Sequence, residues 1–292
     1  NMLIKAINEV RPRFVACAFD TQAPTFRHVE FEKYKAQRVA PPPDLYPQLP
    51  KVKKVLDAYG IKYFEKEGFE ADDIIATIAS KSLQSTDYRL QKKKKAVDSR
   101  QLTVVILSGD RDVLQLVDGN IKVQMPGWNV NETTLFGARE VKEKYGLEPH
   151  QMVDYKSLTG DPSDNVPGIS GVGPKTASAL LQKYHTLENL FKKLAEIPEP
   201  LKSKLEVGKD IALAAKKLVE LDRTVAISFQ LSELRFDPDW KKVRGEFEEL
   251  GFKSILAKIQ GGDKEPEKPK ESKPKEKTKL DKTKFAQISS KK

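Results

Sequence analysis

One cysteine in 292 residues, Cys17, excludes an intrachain disulfide. It sits inside the apolar run Phe14–Phe19, so a small buried hydrophobe is expected rather than a reactive thiol. A reducing compartment fits. Histidine is nearly as scarce: His28, His150 and His185 are scattered, read as surface or packing residues, and leave no Cys/His cluster of the kind zinc uses. No apolar run is long enough to cross a bilayer, so the chain reads as soluble, with no membrane partner. Position 1 is not methionine, and the helical pattern that opens at Asn1 has no cap residue before it. The expectation is that sequence upstream is missing, and the lack of a leader then says nothing about the precursor.

What is present is charge, and its placement matters more than its sum. The formal net charge is +10, yet residues 88–101, which include Lys92–Lys95, carry 6 cations against 1 carboxylate, and residues 263–292 carry 11 lysines against 6 carboxylates. The remainder is near neutral. Basicity alone fits nucleic acid, an acidic membrane surface or plain solubility.

The hydrophobic pattern predicts an opening helix, a strand over Phe14–Phe19, a mobile arm to Pro50, a helix over Leu49–Tyr59, a strand over Ile61–Phe64 and a helix over Ala71–Leu83. A strong strand follows at Leu102–Leu107, expected to be central, then a short one at Ile121–Gln124, and helices from Ala138 to about Gln260. Strands alternating with helices, then helices alone, indicate an α/β parallel sheet with a helical C-terminal part. The Lys-, Glu- and Pro-rich tail from Asp263 has almost nothing apolar to bury and reads as disordered.

Four short acidic motifs sit where strands end or helices begin: Phe19-Asp20, Glu70-Ala-Asp72-Asp73, Gly109-Asp110-Arg-Asp112 and Gly160-Asp161-Pro-Ser-Asp164-Asn165. Each alone is ordinary, because Asp and Glu cap helices and populate turns. Together they place carboxylates outside the carboxyl ends of the strands, where open α/β sheets bind ligands. Like charges so gathered repel, and hard divalent cations relieve that repulsion. Oxygen ligands without Cys or His favour Mg²⁺ or Mn²⁺, and two such ions about 4 Å apart suit phosphodiester chemistry.

Gly168–Ala177 follows the last acidic motif, and its glycines allow a tight turn into a helix that has Pro174 near its first position. Exposed N–H groups there suit phosphates, with Lys175 adding charge, although an ordinary interhelical turn has the same look. Between Asp20 and Pro50, cations and aromatics interleave in Phe26-Arg27-His28 and Phe31–Arg38 before Pro41-Pro42-Pro43. A grip on single-stranded nucleic acid and a solvated amphipathic helix are both open readings of that arm.

In their order, Phe19-Asp20, the Phe26-Arg27-His28…Tyr34-Lys35…Arg38 pattern, Glu70–Asp73, Ser108–Asp112, Thr159–Asn165 and Gly168–Ala177 make residues 1–260 resemble the 5′-nuclease domain of bacterial DNA polymerase I. Related flap endonucleases and phage 5′-exonucleases share the scheme. The resemblance implies a PIN-like α/β parallel-sheet core over 1–158 with a helical arch at about 21–50. It further implies a helical DNA-binding subdomain over 159–262 with a helix-three-turn-helix, and leaves 263–292 as a tail.

By motif position, the family's metal-binding carboxylates fall on Asp20, Glu70, Asp72, Asp73, Asp110, Asp112, Asp161 and Asp164. Lys35 falls on the arch lysine at the scissile phosphate, with Arg27 and Arg38 as further arch cations. The backbone-contacting set is Gly168, Ser170, Gly171, Val172, Gly173, Lys175 and Thr176. The implied activity is two-metal-ion hydrolysis, as a 5′–3′ exonuclease or flap endonuclease, with Mg²⁺ or Mn²⁺ as cofactor and K⁺ a candidate at the hairpin. The implied partners are DNA 5′ ends, flaps, nicked duplex and RNA primers, met by a monomer in the bacterial cytoplasm or nucleoid, with an organelle left open. The family also has a first strand carrying one more metal-binding aspartate, which would precede Asn1, and a polymerase that does not follow here. The alternative is therefore a DNA-binding fragment with impaired catalysis.

Overall fold

The computed structural model describes residues 2–84, 102–127 and 132–259; the basic interval 88–101 and the tail 263–292 lie outside the described residues. Helix α1 (Met2–Val10) buries Ile4 and Ile7 in a cluster with Leu56 and Tyr59 of α3 (Leu49–Tyr59) and Val243 and Phe247 of a late helix (Trp240–Glu249). The run Phe14–Phe19 forms a strand only over Ala16–Ala18, β1, which pairs in parallel with β2 (Lys62–Phe64), Cys17 opposite Tyr63. Its first residues go elsewhere: Phe14 bridges Arg235, and the Val15 N–H donates to the Leu234 carbonyl at 2.8 Å. Cys17 packs half-buried against the first cluster, and burial pushes its thiol up to about 11.

The second sheet corrects two expectations. Strand β3 (Val104–Leu107) pairs in parallel with β4 (Ile121–Pro126), and β4 pairs antiparallel with β5 (Thr133–Phe136), in the order β3-β4-β5. The expected central strand is thus an edge in this sheet, and β4 is the middle one. Burial explains the order: Ile121, Val123, Gln124 and Met125 of β4 are covered on both faces, whereas only Ile106 of β3 is fully buried. Strand β5 escapes the periodic signal because it has four residues and exposes Leu135. Among the described residues the strands form two sheets, β1-β2 and β3-β4-β5, and α4 (Ala71–Gln84) packs on both β1 and β3. That contact brings the N-terminus of α4 to the ends of both parallel pairs.

The arm at about 21–50 is helical only in part. Helix occupies only Phe26–Glu30 (α2), residues 32–38 are successive turns, and one 3-10 turn at Tyr46–Gln48 leads into α3. Three consecutive prolines, Pro41 to Pro43, remove the donors a longer helix would need. The first half of the arm is anchored, since Arg27 and Tyr34 are buried.

The C-terminal half is helical, as expected. Helices α5 (Ala138–Tyr145), α6 (Met152–Thr159), α7 (Pro174–Tyr184), α8 (Leu187–Lys192) and α9 (Leu201–Val219) surround a core that includes Leu158, Leu181, Leu187, Leu190 and Leu205. The late helix Trp240–Glu249 is α10, and Lys253–Leu256 is α11. Between α9 and α10 the chain returns to the sheets, where Val225, Leu231 and Leu234 pack on Phe64 and Ile74.

Candidate active site

The site grows from the N-terminus of α4. Asp20, just beyond β1, accepts the Ala71 N–H at 2.7 Å and so satisfies one of the donors a helix start leaves open. Asp110, beyond β3, accepts the Asp112 N–H at 2.8 Å, an Asx-type turn that re-aims the chain. Asp72 stands half-buried in the first turn of α4. Burial, followed by the like charges of Asp110, Asp20 and Glu70, lifts its carboxyl to about 7, with Lys35 opposing. These four carboxylates therefore share one electrostatic neighbourhood, which spacing along the chain does not reveal.

This shift fixes the sign of a pH effect. Between about pH 4 and 7 the folded protein holds a proton on Asp72 that the unfolded chain releases, so its contribution to stability falls as pH rises through that window. Asp72→Asn is expected to raise the Tm of the EDTA-treated protein at pH 8 and leave it near the parent at pH 4. Equal Tm differences at the two pH values would contradict the arrangement.

Arg27 and Asp73 adjoin this neighbourhood from the interior, with Arg27 Nη1 3.7 Å from Glu70 Oε2. Arg27 is 1% exposed and donates to both Asp73 oxygens at 2.7 and 2.8 Å, and to the carbonyls of Leu218 at 2.7 Å and Glu220 at 2.9 Å. Asp73 also accepts the N–H groups of Glu70 at 3.1 Å and Asp222 at 2.9 Å. Every strong donor and acceptor is used internally, so the pair is a buried tie between the arm, α4 and the end of α9. The resemblance implies an arch role for Arg27 and a metal role for Asp73; in this structure both side chains are buried in this tie.

Lys35 lies over the acidic neighbourhood, its Nζ 2.5 Å from Glu70 Oε1 and 3.7 Å from Asp164 Oδ2. Arg38, half-exposed, reaches Asp164 Oδ1 at 2.5 Å. Tyr34 is buried and donates its hydroxyl to Asp164 Oδ2 at 3.1 Å or Glu70 Oε2 at 3.2 Å. Burial and those two carboxylates raise its pKa, so the phenol stays protonated. On the other side, Lys156 Nζ lies against Asp112 Oδ1 and 2.6 Å from Asp161 Oδ2. Burial pushes the Asp161 carboxyl up, but Lys156 and Ser163 outweigh it and hold it below the ordinary range.

Among the described residues no three His, Cys, Asp or Glu side chains close on one point as a metal cage. The donor chemistry nevertheless fits hard divalent cations. All available ligands are carboxylate oxygens, Asp72 carries the repulsion of three others, and two ammonium groups, Lys35 and Lys156, each stand between two carboxylates where positive charge is required. Asp20, Glu70, Asp72 and Asp110 form one group, Asp164 joins Glu70 through Lys35 and Tyr34, and Asp112 and Asp161 are joined by Lys156.

The glycine hairpin joins α6 to α7. Gly160 and Gly168 cross so closely that a Cβ on Gly168 would fall 2.3 Å from the Gly160 nitrogen, and Gly171 has φ +76°. Ser170, Gly171, Gly173 and Lys175 are exposed, and Gly168 and Thr176 are half-buried. Val172 is 4% exposed and packs, with Ile169, into the helical core, and its N–H donates to the Ile169 carbonyl at 3.0 Å.

A family model for the 5'-3' exonuclease N-terminal resolvase-like domain matches residues 1–146, and one for the C-terminal SAM fold of the same exonucleases matches 147–242. The chain belongs to the 5′-3′ exonuclease family. DNA polymerase I of Bacillus caldotenax is 38% identical over 270 residues, which cover 92% of this chain and 29% of that protein. DNA polymerase I of Bacillus subtilis is 36% identical over 260 residues, 88% of this chain and 28% of that protein. The chain thus spans under a third of the length of these curated relatives. Among solved structures, T5 5′-exonuclease with bound zinc superposes with a TM-score of 0.59 at 19% identity, covering 84% of this chain and 88% of that one. A bacteriophage T5 flap endonuclease in a complex with DNA and metal ions gives 0.57 at 16% identity, covering 87% and 84%. Those likenesses are of fold.

Within this exonuclease fold, sequence reasoning passed over three side chains that the site uses. Tyr34 was visible only as the aromatic before Lys35, and Lys156 only as a lysine five residues before Asp161. Asn165 closed an acidic motif without a role of its own. His28 packs edge-on to Tyr34 with centroids 5.3 Å apart, the packing role expected of it.

Proposed function

We propose that this chain is a metal-dependent nuclease that hydrolyses DNA phosphodiesters near 5′ ends and at flaps, with 1–158 as the catalytic part and 159–262 as the part that grips duplex. The carrying observation is the shared neighbourhood of Asp20, Glu70, Asp72 and Asp110 with Lys35 directly over it. Mg²⁺ or Mn²⁺, as two ions, would be held by carboxylates drawn from Asp20, Glu70, Asp72, Asp110, Asp112, Asp161 and Asp164. Such ions, when bound, activate water and neutralise charge developing on the phosphate. The oxygen of water adds to phosphorus, the bond to the 3′ oxygen breaks, and the products are a 5′-phosphate and a 3′-hydroxyl.

The chain's own groups supply position and charge. Lys35 and Arg38 offer cations to the phosphate at the acidic site, and Tyr34, kept protonated, orients Glu70 or Asp164 by donating to one of them. The N–H groups around Gly171 and Gly173, the start of α7 and Lys175 suit the backbone of duplex DNA without reading its bases, with K⁺ as a further ligand of that turn.

A labelled 5′-flap duplex incubated with the purified chain in Mg²⁺ or Mn²⁺, with an EDTA control, tests the reading. Metal-dependent release of short 5′-phosphorylated products is expected, and Lys35→Ala is expected to slow turnover about 10²-fold with a smaller loss of binding. Duplex binding without any cleavage would overturn the assignment in favour of a DNA-binding fragment.

A further inference from the structure

We propose that Asn165 is a positioning residue that latches the basic segment 33–38 onto the acidic turn 161–166 and so sets Lys35. The proposal rests on the reading of Lys35 as a phosphate-contacting group. Three contacts join the two segments in antiparallel order: Asn165 Nδ2 donates to the Lys33 carbonyl at 2.7 Å, the Lys35 N–H to the Asp164 carbonyl at 2.9 Å, and Gln37 Nε2 to the Pro162 carbonyl at 2.8 Å. Arg38 Nε adds a weaker bond to the Ser163 carbonyl at 3.4 Å.

Backbone conformation singles out the same pair. Among the described residues only Arg11, Lys35, Asn165 and His185 are non-glycines with positive φ, and Lys35 (φ 54°) and Asn165 (φ 58°) both lie within this ladder. Such conformations disfavour L-residues and persist where surrounding bonds over-determine them. The turn is stiff in its own right: Asp161 and Val166 exchange two backbone hydrogen bonds of 2.9 Å, and Ser163 N–H donates to Asp161 Oδ1 at 2.9 Å. A rigid turn carrying Asp164 thereby holds the backbone of Lys35, whose Nζ lies 3.7 Å from the Asp164 carboxylate.

Asparagine suits position 165 on two counts. It tolerates the left-handed conformation better than most residues, and its amide supplies the donor for Lys33. Its side chain is exposed, so removing it opens no core cavity. Glycine would keep the backbone conformation and lose the donor while freeing the backbone, so Asn165→Gly is read beside Gln37→Ala, which leaves the backbone at 165 unchanged.

Two readouts test the latch in the full chain. In EDTA, hydrogen exchange of the Lys35 amide should rise about tenfold in Asn165→Gly, the scale of one lost hydrogen bond, with the amides of α4 unchanged. Gln37→Ala should move the same amide in the same direction. An unchanged Lys35 amide in Asn165→Gly overturns the latch whatever the activity. In Mg²⁺, Asn165→Gly should lower kcat on the 5′-flap duplex about tenfold with KM near the parent, and should slow Lys35→Ala no further. Additive losses in the double variant would remove the positioning role. Faster exchange in Asn165→Gly, together with parental cleavage by Lys35→Ala, would support the latch and reject the phosphate-contacting reading of Lys35.

Discussion

Asp110→Ala is expected to lower metal-dependent cleavage of a 5′-flap duplex by about 10³-fold or more, the scale of several kcal/mol that a correctly held metal contributes to phosphoryl chemistry. Duplex binding should stay near the parent value, because the hairpin at Gly168–Ala177 lies on other elements and uses backbone N–H groups. The same substitution has a readout that needs no turnover. Asp110 is the first of the neighbouring charges that raise Asp72, after burial itself, so Asp72 should titrate lower in the EDTA-treated variant. Undiminished cleavage by the purified variant would sink the metal assignment. An unmoved Asp72 titration would show that the two carboxylates do not share a site.

Arg27→Ala is expected to cost about 3–5 kcal/mol of stability, because it strands a buried carboxylate rather than deleting a surface pair. Asp73 is 0% exposed, so its charge has no water to turn to, and the carbonyls of Leu218 and Glu220 lose their donor at the same time. A loss of that size is a large part of an ordinary domain's stability and should appear as a lower urea midpoint. Arg27→Met with Asp73→Leu should recover only part of it. The apolar pair removes the stranded charge but leaves the two carbonyls and the N–H groups of Glu70 and Asp222 without these partners. A midpoint for Arg27→Ala within experimental error of the parent would refute the buried tie. Direct contact with DNA would instead predict lost binding at full stability.

Much of the fold was legible because local pattern and local chemistry agree. Helix α3 spans the predicted Leu49–Tyr59, and α4 runs from Ala71 with its carboxylates at the start. The hairpin lies where the glycines and Pro174 placed it. What failed were statements about neighbours. Val104–Leu107 has the composition of a central strand, yet β4 is the one covered on both sides, and a strand's own residues do not say how many partners it finds. The arm read as mobile because its residues are polar and proline-rich, yet Arg27 and Tyr34 fasten it to α4, α9 and the acidic turn.

The sequence by itself determined the inventory of the site: which carboxylates exist, that they stand where strands end or a helix begins, and that a glycine turn follows the last of them. Those are consequences of backbone periodicity and of what each side chain can bind. Only the tertiary structure sorted equivalent-looking charges into different roles. Asp72 and Asp73 are adjacent in the chain, but successive residues of a helix point about 100° apart. One therefore meets Asp110 and Asp20, while the other meets Arg27 in the interior. Arg27 and Lys35 divide in the same way. Long-range packing decided which cation was buried as a tie and which was left over the acidic neighbourhood, where a phosphate can reach it.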